Sequence, residues 1–297
     1  MTMSEVLLRF IQVSDTHLAH SSAARLARYN DPQSVPPQFA DLILKMRQVA
    51  PQMVQQDDTQ AAGAYVFESG RRLIEEINAL PVDVDFILHT GDVAFDPDDD
   101  TEYLPIKELF SSSRFPVYYQ PGNHDHSAYL QQHLSHLNDV LPTFDYELPT
   151  PNVQVICLDS SLGFLNDGQL EWLQSRIASG DTRPLIVTLH HNIVSYGDFF
   201  GDGVILRNHD EAHAILKSAR PRLLGVFYGH MHMSMDTVQD DIHYFCCPST
   251  YMQFDVFPGS DSTRGVETQS LPGFNLVTVM SDSLHVRRLH FRVDGTA

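Results

Sequence analysis

Five short apolar runs in this chain each break off at side chains rich in nitrogen and oxygen. The run containing Leu7, Phe10, Ile11 and Val13 stops at Ser14-Asp15-Thr16-His17. Residues 84–89 lead into Gly91 and Asp92, residues 115–119 into Pro121-Gly122-Asn123-His124-Asp125, residues 184–189 into His190 and His191, and residues 223–228 into Gly229-His230-Met231-His232. Continuous apolar runs of this length read as strands buried on both faces. Between them, helical spacing predicts helices over about 68–80, 101–110, 127–140, 168–178 and 210–219. Buried strands alternating with helices predict an α/β fold whose site lies at the carboxyl ends of the strands.

Composition narrows what that site can serve. The chain has 297 residues, 42% of them hydrophobic, enough for a sizeable core, and we read 1–297 as a single domain. Lys and Arg number 19 against 38 Asp and Glu, a net charge of −19, so a nucleic acid polymer is excluded as a partner: nothing here would displace its counterions. Three cysteines, Cys157, Cys246 and Cys247, make no disulfide framework or zinc-finger spacing. No leader-like start and no run of about 18 apolar residues is present, so the expectation is a cytoplasmic protein without a membrane partner.

Two stretches interrupt the alternation. Residues 19–63 form an insertion holding an amphipathic helix at 39–49 and a Gln/Asp-rich stretch at 52–60, readable as surface elaboration, as a lid, or as an oligomer contact that would make a homodimer. Residues 257–270 are rich in Gly, Ser, Asp and Thr, and a C-terminal hairpin is expected at about 273–293.

The polar ends supply the chemistry. Asp15 and His17 are two residues apart, as are His230 and His232, so in extended backbone each pair projects to one face and can grip one ion. Asp92 offers two oxygens for bridging, Asn123 an amide oxygen and His190 another imidazole. Seven nitrogen and oxygen donors without a thiolate suit Zn, Mn, Fe or Co. They exceed one tetrahedral site and match two divalent or transition metal ions about 3.5–4 Å apart that share Asp92. Elsewhere, His191 reads as a packing neighbour of that set, His20 as an even choice between substrate contact and none, residues 96–100 as a solvated turn, Trp172 as core, and Cys246-Cys247 as small apolar strand residues.

The ordered set Asp15-Thr16-His17, Gly91-Asp92, Gly122-Asn123-His124-Asp125, His190 and Gly229-His230-Met231-His232 resembles the calcineurin-like metallophosphoesterases. Ser14 to Leu18, the tail at 248–254 and Pro272-Gly273-Phe274 are similar to the bacterial class III cyclic-nucleotide and glycerophosphodiester phosphodiesterases. The resemblance implies a four-layer αββα sandwich and a dinuclear centre, with Asp15, His17, Asp92 and His232 around one metal and Asp92, Asn123, His190 and His230 around the other. It further implies hydrolysis of a small phosphodiester, a cyclic nucleotide such as cAMP or a glycerophosphodiester, by a hydroxide shared between the metals. His124 would protonate or hydrogen-bond the leaving alkoxide, and Asp125 would hydrogen-bond and orient that imidazole. A phosphomonoesterase acting on nucleotides or phosphosugars is the alternative enzyme reading, and a non-catalytic metal-bearing scaffold is the alternative of another class. The chain departs from the pattern in its long insertion and in carrying Ala94 and Phe95 after Gly91-Asp92-Val93, both at the border of the expected substrate pocket.

Overall fold

A computed structural model of the chain describes residues 4–18, 59–137, 139–254, 257–259, 266–267 and 270–293. In chain order the elements are β1 (Val6–Val13), α1 (Thr59–Asn78), β2 (Phe86–His89), α2 (Tyr103–Ser111), β3 (Val117–Tyr119), α3 (Ser127–Leu134), β4 (Tyr146–Glu147), β5 (Gln154–Cys157), α4 (Asp167–Ile177), β6 (Leu185–Thr188), α5 (Phe199–Gly203), α6 (His209–Ser218), β7 (Leu223–Tyr228), β8 (Asp236–Gln239), β9 (Ile242–Cys246), β10 (Gln253–Phe254), β11 (Val266–Glu267), β12 (Gly273–Met280) and β13 (Leu284–His290). Two mixed sheets result, ordered β13-β12-β1-β2-β3 and β4-β5-β6-β7-β9-β8, with β10 and β11 forming a separate small ribbon. The five apolar runs become parallel strands: β1, β2 and β3 in the first sheet, with β3 at its edge, and β6 and β7 in the second, where β5 and β9 join them in parallel.

Burial explains that placement. Every residue of β2, β5 and β6 is buried, as strands covered on both faces require. Strand β13 is partly exposed along its length and lies at the sheet edge, where one face can meet water. Between the sheets Phe10 stacks on Phe86 at 5.4 Å and meets Phe227 edge-on at 5.6 Å. Buried amides tie the sheets together: Gln12 donates to the Tyr228 carbonyl at 3.1 Å, and Gln120 to the carbonyls of Leu158 and Thr188 at 3.1 and 3.0 Å. Leu73 and Ile77 of α1, Ile106 and Phe110 of α2, and Leu130 of α3 join the core on the side of the first sheet. Leu173 of α4 and Leu216 of α6 cover the second sheet, packing in one cluster with Ile156 of β5 and Leu185 and Val187 of β6, so the layers run helix, sheet, sheet, helix.

The expected strands and the terminal hairpin are all present, β12 pairing antiparallel with both β1 and β13. Two helix boundaries differ. Helix α3 stops at Leu134, short of 140, because the Gln131 side chain takes over as partner of a returning chain: it accepts from Leu141 N–H at 2.7 Å and donates to the Leu141 carbonyl at 3.0 Å. Helix α1 begins at Thr59, so the boundary expected at 63 falls inside a helix. The helix expected at 39–49, the Gln/Asp-rich stretch up to 58, and His20 lie outside the described residues. Trp172 is half-buried at the rim of the second core, under the Arg176 guanidinium at 5.4 Å, and not in its interior. Among the described residues no helix is long and apolar enough to cross a membrane.

Candidate metal centre

Strands β1, β2, β3, β6 and β7 deliver their next residues to one rim of the two sheets. The loops after β1 and β2 then run together: Asp15 N–H donates to the Gly91 carbonyl, His17 N–H to that of Asp92 and Leu18 N–H to that of Val93, each at 3.0 Å. The extended backbone expected for Asp15-Thr16-His17 and His230-Met231-His232 is not what aims them. Asp15, His17, Asp92, His230 and His232 have φ of 55°, 47°, 52°, 65° and 46°, the left-handed region that non-glycine residues seldom adopt. Strain of this kind persists where the surroundings over-determine it, and five of the expected donors share it. Gly91, at φ 106°, makes the turn before Asp92.

The donors converge as two clusters. Asp15, His17, Asp92 and His232 form one, and Asp92, His190 and His230 the other, with the potential donor atoms of each within 4.8 Å of one another. His232 Nε2 lies 3.1 Å from His17 Nε2 and 3.2 Å from Asp15 Oδ1. In the second cluster His190 Nε2 lies 3.2 Å from both His230 Nδ1 and Asn123 Oδ1. One oxygen of Asp92, Oδ2, faces His17 Nε2 at 3.6 Å and His190 Nε2 at 3.3 Å, an imidazole from each cluster. All seven expected residues are therefore brought together, with Asn123 exposed, His230 half-buried and the others buried.

Hydrogen bonds on the far side of the rings test whether a cation fits. His190 Nδ1–H donates to the Thr90 carbonyl at 2.9 Å, His230 Nε2–H to that of Val204 at 3.1 Å, and His232 Nδ1–H to that of Met252 at 3.0 Å. Neutral rings so held turn their remaining nitrogens inward as acceptors. Lone pairs of His190 Nε2 and His230 Nδ1 then oppose each other at 3.2 Å beside the oxygens of Asn123 and Asp92. A proton on one ring relieves one such contact, whereas a divalent cation relieves all of them. The donor set fits metal.

Electrostatics agree with this assignment. Burial opposes ionisation of Asp92, but His190, His124 and His17 outweigh it and hold the carboxyl well below its usual range; His232 and His190 do the same for Asp15 against its own burial. Burial drives His17 well below the usual imidazole value and His230 down to about 3, the neutral form a ligand needs. At His190 burial works against the charge and Asp92 and Asp15 overcome it, lifting the ring to about 9. The carboxylates that favour a proton there are the ones a divalent ion would use in its place.

His124 sits half-exposed beside the clusters, its ring 4.9 Å from that of His17. The expectation that Asp125 orients it is corrected. Both Asp125 oxygens are committed elsewhere, Oδ2 to the N–H groups of Val93 and Gly122 at 3.0 and 2.9 Å, and Oδ1 to Ala94 N–H at 2.9 Å and the Tyr103 hydroxyl at 3.2 Å. His124 Nδ1–H donates instead to the Phe95 carbonyl at 2.9 Å. His191 is buried with its ring 4.4 Å from that of His230, and its Nδ1 pairs with Ser160 Oγ at 3.0 Å, as a packing neighbour would. The backbone carbonyls of Thr90, Phe95, Val204 and Met252 were not foreseeable as ring holders, since a carbonyl carries no residue-type signal.

A family profile described as calcineurin-like phosphoesterase matches residues 8–234. The chain belongs to that family. The phosphoesterase is 28% identical over 225 residues to a 3',5'-cyclic-nucleotide phosphodiesterase of Nostoc sp., covering 74% of this chain and 81% of the relative. It is 30% identical to a 3',5'-cyclic adenosine monophosphate phosphodiesterase of Pseudomonas aeruginosa, over 69% of this chain and 74% of the relative. A dimetal phosphatase from Danio rerio shares the fold with a TM-score of 0.57 at 13% identity, spanning 96% of this chain and 97% of that one.

Proposed function

We propose that this phosphoesterase is a metal-dependent hydrolase of small phosphodiesters, with 3',5'-cyclic nucleotides first and glycerophosphodiesters next. The observation that carries the reading is the meeting of two donor clusters at one oxygen of Asp92, with His124 beside them. The names of the two sequence relatives support the diester class. Nitrogen and oxygen donors without a thiolate suit Mn, Fe, Zn or Co. Ions held by Asp15, His17, Asp92 and His232, and by Asp92, Asn123, His190 and His230, would neutralise phosphoryl oxygens and lower the pKa of a bound water.

The chain's own residues do the rest. Carbonyls of Thr90, Val204 and Met252 keep the ring nitrogens aimed inward, and the Asp125 carboxylate holds the loops of Val93, Ala94 and Gly122 around the centre. With Nδ1–H on the Phe95 carbonyl, His124 keeps Nε2 for the substrate. A proton carried at Nε2 is what a departing alkoxide needs and what a p-nitrophenolate can leave without.

Metal-reconstituted protein should turn over bis(p-nitrophenyl) phosphate and cyclic AMP faster than p-nitrophenyl phosphate. Preference for the monoester would favour the phosphomonoesterase reading, and no turnover of any ester would leave a metal-bearing scaffold. His124→Ala should keep its metal and lose about 10²–10⁴ in rate on an alkyl diester but little on an aryl diester. Equal losses on both would leave His124 a phosphate-positioning role only.

A further inference from the structure

The segment after Asp92 is held from two sides. Asp125 takes the N–H groups of Val93 and Ala94, and Glu102, 3% exposed at the end of a short 3-10 turn (Asp100–Glu102), takes those of Phe95 and Asp96 through Oε2, both at 2.9 Å. The Asp96 N–H and the Phe95 carbonyl belong to one peptide unit. That unit therefore gives its N–H to the Glu102 carboxylate and receives Nδ1–H of His124 on its carbonyl, at 2.9 Å on each side. A peptide polarised by a carboxylate on its N–H is a stronger acceptor at its oxygen, because hydrogen bonds in series reinforce one another. The Phe95 ring adds a wall 4.9 Å from the His124 ring, and its place follows from the same two anchored amides.

We propose that Glu102 is a positioning residue for His124, acting through the Phe95–Asp96 peptide to keep Nδ1–H on the Phe95 carbonyl, so that Nε2, and the proton it carries when the ring is protonated, is directed at the substrate. The part expected of Asp125 is thereby taken by a buried carboxylate on another element, one peptide removed. This rests on the reading of His124 as the group that serves the leaving oxygen. Burial drives the Glu102 carboxyl up to about 7, with the two amide donors pulling the other way, so a carboxylate is kept where an apolar residue would be cheaper to bury.

The test uses full-length, zinc-loaded protein and the variants Glu102→Ala, Glu102→Gln, His124→Ala and the Glu102→Ala/His124→Ala pair. Rates are measured on an alkyl and an aryl diester, alongside metal content. Nitrogen-15 NMR of labelled histidines gives the tautomer of His124, its resonances assigned by their absence in His124→Ala. Loss of an outer partner of this kind is worth about 10–100-fold, so Glu102→Ala should lose that much on the alkyl diester and under about threefold on the aryl diester, with metal content unchanged. In the His124→Ala background it should cost nothing further, and at a pH where the ring is neutral the His124 signals should move from the Nδ1–H form toward a tautomer mixture. Glu102→Gln, which keeps an oxygen acceptor without the charge, should fall between parent and Glu102→Ala and carries the test if the alanine variant does not fold. Equal costs in the parent and His124→Ala backgrounds, or an unmoved His124 tautomer, would falsify the proposal. If His124→Ala itself shows no leaving-group dependence, the leaving-oxygen reading of His124 fails on its own, and the NMR signature still decides whether Glu102 positions the ring.

Discussion

At the scale of single residues, the site is built as much by missing side chains as by present ones. A Cβ at Gly229 would lie 1.8 Å from Ser14 Oγ and 2.5 Å from Asp15 Oδ2, and one at Gly122 would lie 2.2 Å from Asp92 Oδ1. The two carboxylates have little room to retreat, because Asp15 and Asp92 are buried and bound to the N–H groups of His230 and His124. Gly229→Ala should thus bind divalent ions at least about tenfold more weakly while keeping its secondary structure, by analogy with other losses of ligand support. Calorimetric titration with Mn²⁺ or Zn²⁺ and circular dichroism check this; unchanged affinity would mean that the loops adjust. Gly180→Ala is the control, since φ 82° there meets nothing within 4 Å: it should cost about 1–2 kcal/mol of stability and leave metal binding alone. The candidate donors were legible from residue type and order, whereas the left-handed backbone that aims five of them was not. A φ angle outside glycine leaves no mark in a sequence.

At the scale of elements, the buried thiols make a prediction about reactivity and the buried Glu102 one about stability against pH. Cys157 ends β5 and Cys246 ends β9, both fully buried, and burial pushes each thiol up to about 12; Cys247, just beyond, is also raised. The native protein should therefore resist iodoacetamide at pH 8 and take up three equivalents only when unfolded, as mass spectrometry can count. Rapid native labelling would revive a redox role. Glu102, at the turn leading into α2, is raised from 4.5 to about 7, by burial first and by Asp99 and Asp96 after it. A carboxyl whose folded-state pKa is raised contributes stability that is complete below the unfolded value of 4.5 and is lost as pH rises through 7. Glu102→Gln removes that loss. Its stability relative to the parent should climb between pH 4.5 and 7 by an amount on the order of 3 kcal/mol and then level off. Urea titrations at several pH values measure it, and a flat difference would mean that Glu102 is not buried as described.

At the scale of the whole molecule, the centre joins the two sheets, since its donors follow strands of both. Ions bound there favour the folded chain over the unfolded one by about 2.7 kcal/mol at a hundredfold excess over the dissociation constant. For a chain of 297 residues the melting temperature should then rise by about 4 °C with Mn²⁺ or Zn²⁺ and fall back with a chelator. Asp92→Asn should lose most of that rise, because one oxygen faces both clusters. A melting temperature indifferent to metal and chelator would contradict the assignment of the donors as a metal centre.

Local patterning determined a good deal of this. Apolar runs too short for helices had to become strands, and polar residues at their ends had to emerge at a rim, so β1, β2, β3, β6 and β7 and the seven candidate donors that follow them were legible in the sequence. Helix ends could not, since Gln131 halts α3 by binding Leu141, a partner chosen by the return of the chain. What only the tertiary structure decided is who holds whom. Asp125 stands next to His124 in sequence and spends its oxygens on Val93, Ala94, Gly122 and Tyr103, while the ring is held by Phe95, whose peptide is held by Glu102. Hydrogen bonds form between groups that folding brings within about 3 Å, and adjacency along the chain is no measure of that distance.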